Sequence, residues 1–204
     1  MKIGAILVAA GTSSRMGGEN KLLLPLANDT VIGTTLNHLA RTDSSQLIVV
    51  TGRDAQIVEA EISKINPEVS GQKSKIVHNP DYEKGLTTSI QAGLRAIDNA
   101  EAVMVCLGDM PLIKTEDYRF LMSSFASQNE YSIQVPFYGE QKGNPVIFGR
   151  QHFTEILNHT QMNGCSLVVR RNSGSVCRIQ VSSDRFIQDI DTPNDYQRLL
   201  QSLK

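Results

Sequence analysis

The chain has 204 residues, 40% of them hydrophobic and 20% charged, and a net charge of −1. This composition excludes a disordered chain, and the near-neutral balance excludes a global basic field for nucleic acid, so any attraction for anions must be local. No apolar stretch reaches membrane-spanning length. The length suits one domain over 1–204, and the N-terminal apolar run matches one strand rather than a signal peptide. Cys106, Cys165 and Cys177 are odd in number and lack C-x-x-C spacing. They read as reduced thiols of a cytoplasmic protein, not as a disulfide frame or zinc site.

Residues 3–8 are apolar and rich in branched side chains, which predicts a buried strand. A helix over 31–41 and a strand over 47–50 follow. The next helix, 54–65, assigns Ile57, Ile62 and Ile65 to the core and Glu59, Glu61 and Lys64 to a solvated face. A strand over 75–78 and a helix over 87–98 precede a second apolar strand, 102–107. Then come a helix over 116–126, strands over 131–135 and 146–148, helices over 150–158 and 165–171, a strand over 176–181 and a last helix over 193–202. This alternation predicts an α/β domain. The continuous apolar runs at 3–8 and 102–107 imply burial on both faces, hence a parallel sheet between helix layers. Ligands of such sheets sit beyond the carboxyl ends of the strands. Loops 9–18 and 108–111 follow those two strands and are expected at one crevice.

The first loop runs Ala9-Ala10-Gly11-Thr12-Ser13-Ser14-Arg15-Met16-Gly17-Gly18, with Lys21 beyond it. It is neither a P-loop nor a dinucleotide fingerprint. Gly11 allows the backbone close to a ligand, and the loop offers N–H groups and hydroxyls. Arg15 supplies a forked donor and Lys21 a point charge, each worth about 4 kcal/mol against a phosphate charge at 4 Å and an effective dielectric of 20. Together they predict a polyphosphate site, against the alternative of a solvated Gly/Ser turn. Ser13 and Ser14 have no His/Asp partnership of the kind a serine hydrolase needs, and the four histidines have no metal-ligand spacing.

Gly108-Asp109-Met110-Pro111 ends the second buried strand, where a carboxylate can hold Mg²⁺ beside phosphate oxygens. Asp189-Ile190-Asp191-Thr192-Pro193 opens the last helix. Thr192 and Pro193 suit an N-cap and first helical position, which leaves Asp191 as a second metal ligand. Gly85 and Ser89 stand at a helix start, open to either ligand binding or capping. Gly143 and Asn144 suit either a second-substrate contact or a hairpin connection.

These residues together resemble the molybdenum-cofactor nucleotidylyltransferases, and most closely their cytidylyltransferase branch, which includes accessory proteins of xanthine dehydrogenase-type enzymes. The resemblance rests on Leu7-Val8-Ala9-Ala10-Gly11, Arg15-Met16-Gly17, Lys21-Leu22, Gly85-Leu86 with Ser89, Gly108-Asp109-Met110-Pro111, Gly143-Asn144-Pro145-Val146 and Asp189-Ile190-Asp191-Thr192-Pro193. It implies a three-layer α/β sandwich with a mixed, mostly parallel sheet of the nucleotide-diphosphosugar transferase-like, Rossmann-like type. It implies transfer of a nucleotide, CTP by the Ala9-Ala10-Gly11 pattern, to molybdopterin with release of pyrophosphate. Arg15 and Lys21 would hold the triphosphate, Asp109 would carry Mg²⁺ with Asp191 assisting, and Gly143 and Asn144 would meet the acceptor. A molybdenum hydroxylase apoenzyme would be a partner, with no nucleic acid or membrane involved. Two positions depart from the family: Asn144 stands where His is frequent, and the stretch around Gly164-Cys165-Ser166 lacks an acidic residue. Transfer of a guanylyl group, transfer to a sugar phosphate, and a non-catalytic carrier of the finished cofactor are the alternatives.

Overall fold

A computed structural model describes residues 1–64 and 74–202. The strands are β1 (Ile3–Ala9), β2 (Pro25–Leu26), β3 (Asp29–Thr30), β4 (Leu47–Thr51), β5 (Ser74–His78), β6 (Ala102–Leu107), β7 (Ile133–Tyr138), β8 (Gln141–Lys142), β9 (Val146–Gly149) and β10 (Val176–Gln180). The helices are α1 (Val31–Ala40), α2 (Ala55–Ser63), α3 (Leu86–Arg95), α4 (Thr115–Ser127), α5 (Phe153–Asn158), α6 (Ser166–Arg171) and α7 (Pro193–Ser202).

The main sheet has the order β10-β7-β9-β6-β1-β4-β5, with β8 paired to β7. Strands β5, β4, β1 and β6 are mutually parallel, whereas β9 is antiparallel to both β6 and β7. The sheet is therefore mixed. Helices α1, α2, α4 and α7 cover one face and α3, α5 and α6 the other. These are the expected three layers. β1 and all but the last residue of β6 are buried, because each lies between two strands and two helix layers. From β1 the chain moves outward to β4 and β5, then crosses back to β6 on the other side of β1. The order reverses between β1 and β6, which opens a crevice at their carboxyl ends. No helix among the described residues is long and apolar enough to cross a membrane.

Four sequence readings need correction. Ile57 is 57% exposed; Val58 and Ile62 form the buried stripe of α2. Ile65 lies outside the described residues. Glu59 is not merely solvated, since it is half-buried and accepts a 2.8 Å hydrogen bond from the buried Thr51 hydroxyl. The helix starts one residue later than its apolar spacing suggests, because Asp54 adopts a left-handed conformation (φ 54°). The two-residue strands β2, β3 and β8 are too short to show an alternating pattern, and the strand expected over 131–135 runs instead from Ile133 to Tyr138 as β7, which turns back into β8. That hairpin turns at Gly139, whose φ of 59° suits a residue without Cβ.

Candidate active site

The loop after β1 is folded around its own polar groups. Ala9 and Ala10 are buried, so only their backbone is available to a ligand; Gly11, Thr12, Ser14 and Arg15 are exposed. Ser13 is buried in a left-handed conformation (φ 50°), and its Oγ accepts from the Lys21 backbone N–H at 3.2 Å. This bond closes the loop and fixes where the Lys21 side chain starts. Arg53, just past β4, donates to the Thr12 carbonyl and, at 2.7 Å, to the Gly18 carbonyl. The Asn20 amide donates to Asp54 at 3.1 Å. The turn after β4 thus braces both ends of the loop after β1.

Lys21 points into the crevice. Its Nζ lies 2.5 Å from Asp109 Oδ2 and 2.9 Å from Asp191 Oδ1, and the Arg15 guanidinium lies 2.7 Å from Asp191 Oδ2. Asp109 is held by its turn. Gly108 donates to the Val8 carbonyl at 2.9 Å and accepts from the buried Thr35 hydroxyl at 3.1 Å. A Cβ on Gly108 would stand 3.0 Å from the Val8 carbonyl oxygen, tighter than ordinary packing allows. The Asp109 carbonyl accepts from the Ile190 N–H at 3.1 Å, which docks the 189–191 segment onto the same turn. Asp191 is followed by the expected cap: Asp195 accepts from the Thr192 N–H at 2.7 Å and donates its own N–H back to the Thr192 hydroxyl.

Asp109, Asp189 and Asp191 each present a carboxylate oxygen within 4.8 Å of the others. Burial raises the Asp189 carboxyl above its ordinary value, and the charges of Asp109 and Asp191 push it in the same direction. Burial acts on Asp191 likewise, but the hydrogen bond and charge of Lys21, with Arg15 behind them, hold it below the usual range. Burial opposes the Lys21 ammonium, yet Asp109 and Asp191 keep its pKa above the ordinary lysine value. Asp109 Oδ1 is buried with no hydrogen-bond partner among the described residues. A converging set of hard oxygen donors with one left unsatisfied fits a hard divalent cation.

Gly85, Ser89 and Asn144 lie on the α3 side of the sheet, whereas Gly143 faces Phe186 of the opposite core. Gly85 (φ 103°) begins α3 against the 161–164 loop, where a Cβ would come within 2.7 Å of the Met162 carbonyl. Ser89 is buried and its hydroxyl accepts from the Asn79 amide at 3.0 Å. Gly143 is packed against Phe186, and the Asn144 N–H donates to the Phe186 carbonyl at 2.8 Å. Asn144 also lines a small open cleft of about 60 Å³ whose walls include Leu86, Ile90, Leu107, Val146 and Phe148. Among the described residues Lys142 is the single charged side chain lining it, and burial lowers its pKa. Leu107 is the residue before Gly108, so the cleft begins beside the carboxylate turn. Cys165 lines it as well, and burial pushes its thiol up to about 12, which makes it a packing residue at neutral pH.

Sequence reasoning passed over two contributors. Asp189 is two residues before Asp191, a spacing that puts both carboxylates on one side of an extended segment. Arg53 follows a buried parallel strand, so its loop had to open at the same sheet edge as the loops after β1 and β6.

Residues 5–176 match the family model described as a MobA-like NTP transferase domain. The chain is 30% identical to the molybdenum cofactor cytidylyltransferase of Escherichia coli K12 over 198 residues, 95% of this chain and 93% of that protein. It is 26% identical to the nicotine blue oxidoreductase of Paenarthrobacter nicotinovorans, covering 97% and 96% of the two chains. Among solved structures, Rv0371c of Mycobacterium tuberculosis H37Rv superposes with a TM-score of 0.83 at 28% identity, over 98% of both chains. Rv0371c in complex with manganese gives 0.78 at 26% identity, over 99% of this chain and 100% of that one. The chain belongs to the family of MobA-like NTP transferase domains.

Proposed function

We propose that the protein transfers the cytidylyl group of CTP to the terminal phosphate of molybdopterin and releases pyrophosphate. The observation that carries this reading is the meeting of Arg15 and Lys21 with three aspartates at the crevice between β1 and β6. The name of the E. coli relative supports the choice of nucleotide and acceptor.

The triphosphate would lie along the loop 9–18, with Arg15 and Lys21 against its oxygens. A phosphate oxygen of the acceptor attacks the α-phosphorus. The bond from that phosphorus to the oxygen bridging to the β-phosphate breaks, and pyrophosphate leaves with the electron pair. The nucleophile is already ionised at neutral pH, so no general base is needed; alignment and charge neutralisation supply the rate. Asp109, Asp189 and Asp191 would hold Mg²⁺, which would offset the charge that gathers on the leaving pyrophosphate. The manganese complex of Rv0371c supports a divalent cation in a structure of this shape. The acceptor would lie over the mouth of the small cleft beside Asn144, with Lys142 toward an anionic group.

The test is pyrophosphate release with CTP, GTP and ATP against molybdopterin and a panel of sugar phosphates. Release only with CTP and molybdopterin supports the full reading; release with a sugar phosphate instead redirects it to the related sugar-nucleotide reaction. A second reading draws on the full-length relative named as an oxidoreductase, which extends this chain's likeness beyond proteins named as transferases. On that reading the chain carries a finished cofactor, and no acceptor yields pyrophosphate.

A further inference from the structure

Lys21 holds one oxygen each of Asp109 and Asp191 in the carboxylate cluster and leaves Asp109 Oδ1 without a partner among the described residues. Its Nζ touches Asp109 Oδ2 at 2.5 Å and Asp191 Oδ1 at 2.9 Å, and the Lys21 and Asp109 side chains are only 11% and 14% exposed. Mg²⁺ bound to those oxygens would sit about 2.0–2.1 Å from each. A dication on Asp109 Oδ2 would lie no more than about 4.6 Å from the ammonium, so the two like charges would repel and compete for the same carboxylates. The backbone of Lys21 is pinned by Ser13, so relief must come from the four-carbon side chain swinging out. Arg15, with a side chain 64% exposed, leaves Asp191 more readily.

A triphosphate on the loop supplies the acceptor that draws both cations away. Resting on the reading above, we propose that Lys21 is a resident placeholder cation: it closes the carboxylate cluster to metal until a nucleoside triphosphate pulls it off Asp109 and Asp191. Metal and nucleotide then bind with positive coupling. The apparent metal affinity of the free protein is reduced by the fraction of molecules in which Lys21 has swung clear. Coupling is reciprocal, so metal also tightens nucleotide binding by the same factor. The device prevents a bare metal ion from occupying the crevice and leaves the cluster charge-compensated when it is empty of substrate.

The experiment titrates Mn²⁺, followed by loss of the free-ion electron paramagnetic signal, into wild-type protein, Lys21→Met and Lys21→Arg, all without nucleotide. Lys21→Met is expected to bind Mn²⁺ on the order of 10–100-fold more tightly than wild type, while Lys21→Arg keeps the weak affinity. Equal or weaker Mn²⁺ binding by a folded Lys21→Met protein overturns the proposal. Should that variant fail to fold, wild type decides: CTP must raise the protein's Mn²⁺ uptake beyond what Mn²⁺–CTP association in protein-free solution accounts for, and no excess overturns it. The readout does not depend on turnover. Absent pyrophosphate release with the expected Mn²⁺ pattern therefore sinks the transfer reading alone.

Discussion

Lys21 Nζ lies 2.5 Å from Asp109 Oδ2 and so joins the loop after β1 to the turn after β6 across the point where the strand order reverses. Neither side chain is more than 14% exposed. A pair this enclosed interacts in a medium less polar than water, where each charge acts strongly on a ligand that replaces its partner.

Lys21→Ala is expected to lower kcat by about 10²–10³-fold, the usual effect of losing one preorganised donor to developing charge. Single-turnover pyrophosphate release measures it, with circular dichroism as a control for folding. Unchanged turnover removes Lys21 from the transfer step.

Asp109→Asn and Asp189→Asn should both raise the metal concentration that gives half-maximal activity, on the order of 10–100-fold. Asp189 is the sharper test, because it makes no ion pair with Lys21 or Arg15 among the described residues. A metal titration that does not move with Asp189→Asn leaves only the other two carboxylates as ligands.

Arg53→Ala should raise KM for the nucleotide roughly tenfold, about 1.4 kcal/mol, with a smaller change in kcat. Its guanidinium bridges the Thr12 and Gly18 carbonyls, a fork that a lysine cannot reproduce. Arg53→Lys is therefore expected to behave like Arg53→Ala. Full rescue by lysine would mean that charge, not bridging, is what matters.

Gly85→Ala should destabilise the fold by about 1–3 kcal/mol, because φ is 103° and the added Cβ would meet the Met162 carbonyl at 2.7 Å. For a chain of this size the melting temperature falls by roughly 2–4 °C per kcal/mol. A melt that matches wild type would show that the 161–164 loop yields freely.

Acidification should destabilise the protein below pH 6.5. His38, His152 and His159 have pKa values lowered in the fold, chiefly because burial disfavours the imidazolium. The unfolded chain takes up these protons near pH 6.5, before the folded one does. Stability is thus full above that value and is lost as the pH falls toward the folded pKa values. Urea midpoints at pH 7.5, 6.5 and 5.5 should fall in that order, with a shallower decline in His159→Asn. A flat series contradicts the assignment.

Much of the fold was legible because its strands are long and apolar. The runs at 3–8 and 102–107 could be satisfied only between two helix layers, and the loops that follow them had to share an edge. Ile57 was misread because a nine-residue helix offers few turns, and an apolar residue one position off the stripe looks the same in sequence. The residues of the crevice were legible by type: an Arg and a Lys after one strand, an Asp after the other.

Their pairing was not. The sequence by itself determined the alternation of strands and helices, the parallel centre of the sheet and the positions of Arg15, Lys21, Asp109 and Asp191 at strand ends, since hydrophobic period and backbone chirality act locally. Only the tertiary structure decided that Lys21 lies between two of the aspartates, that Asp189 completes the set and that Arg53 braces the loop. Those contacts join segments far apart in the chain. Distance between charges in space, not their order along the backbone, sets which of them meet.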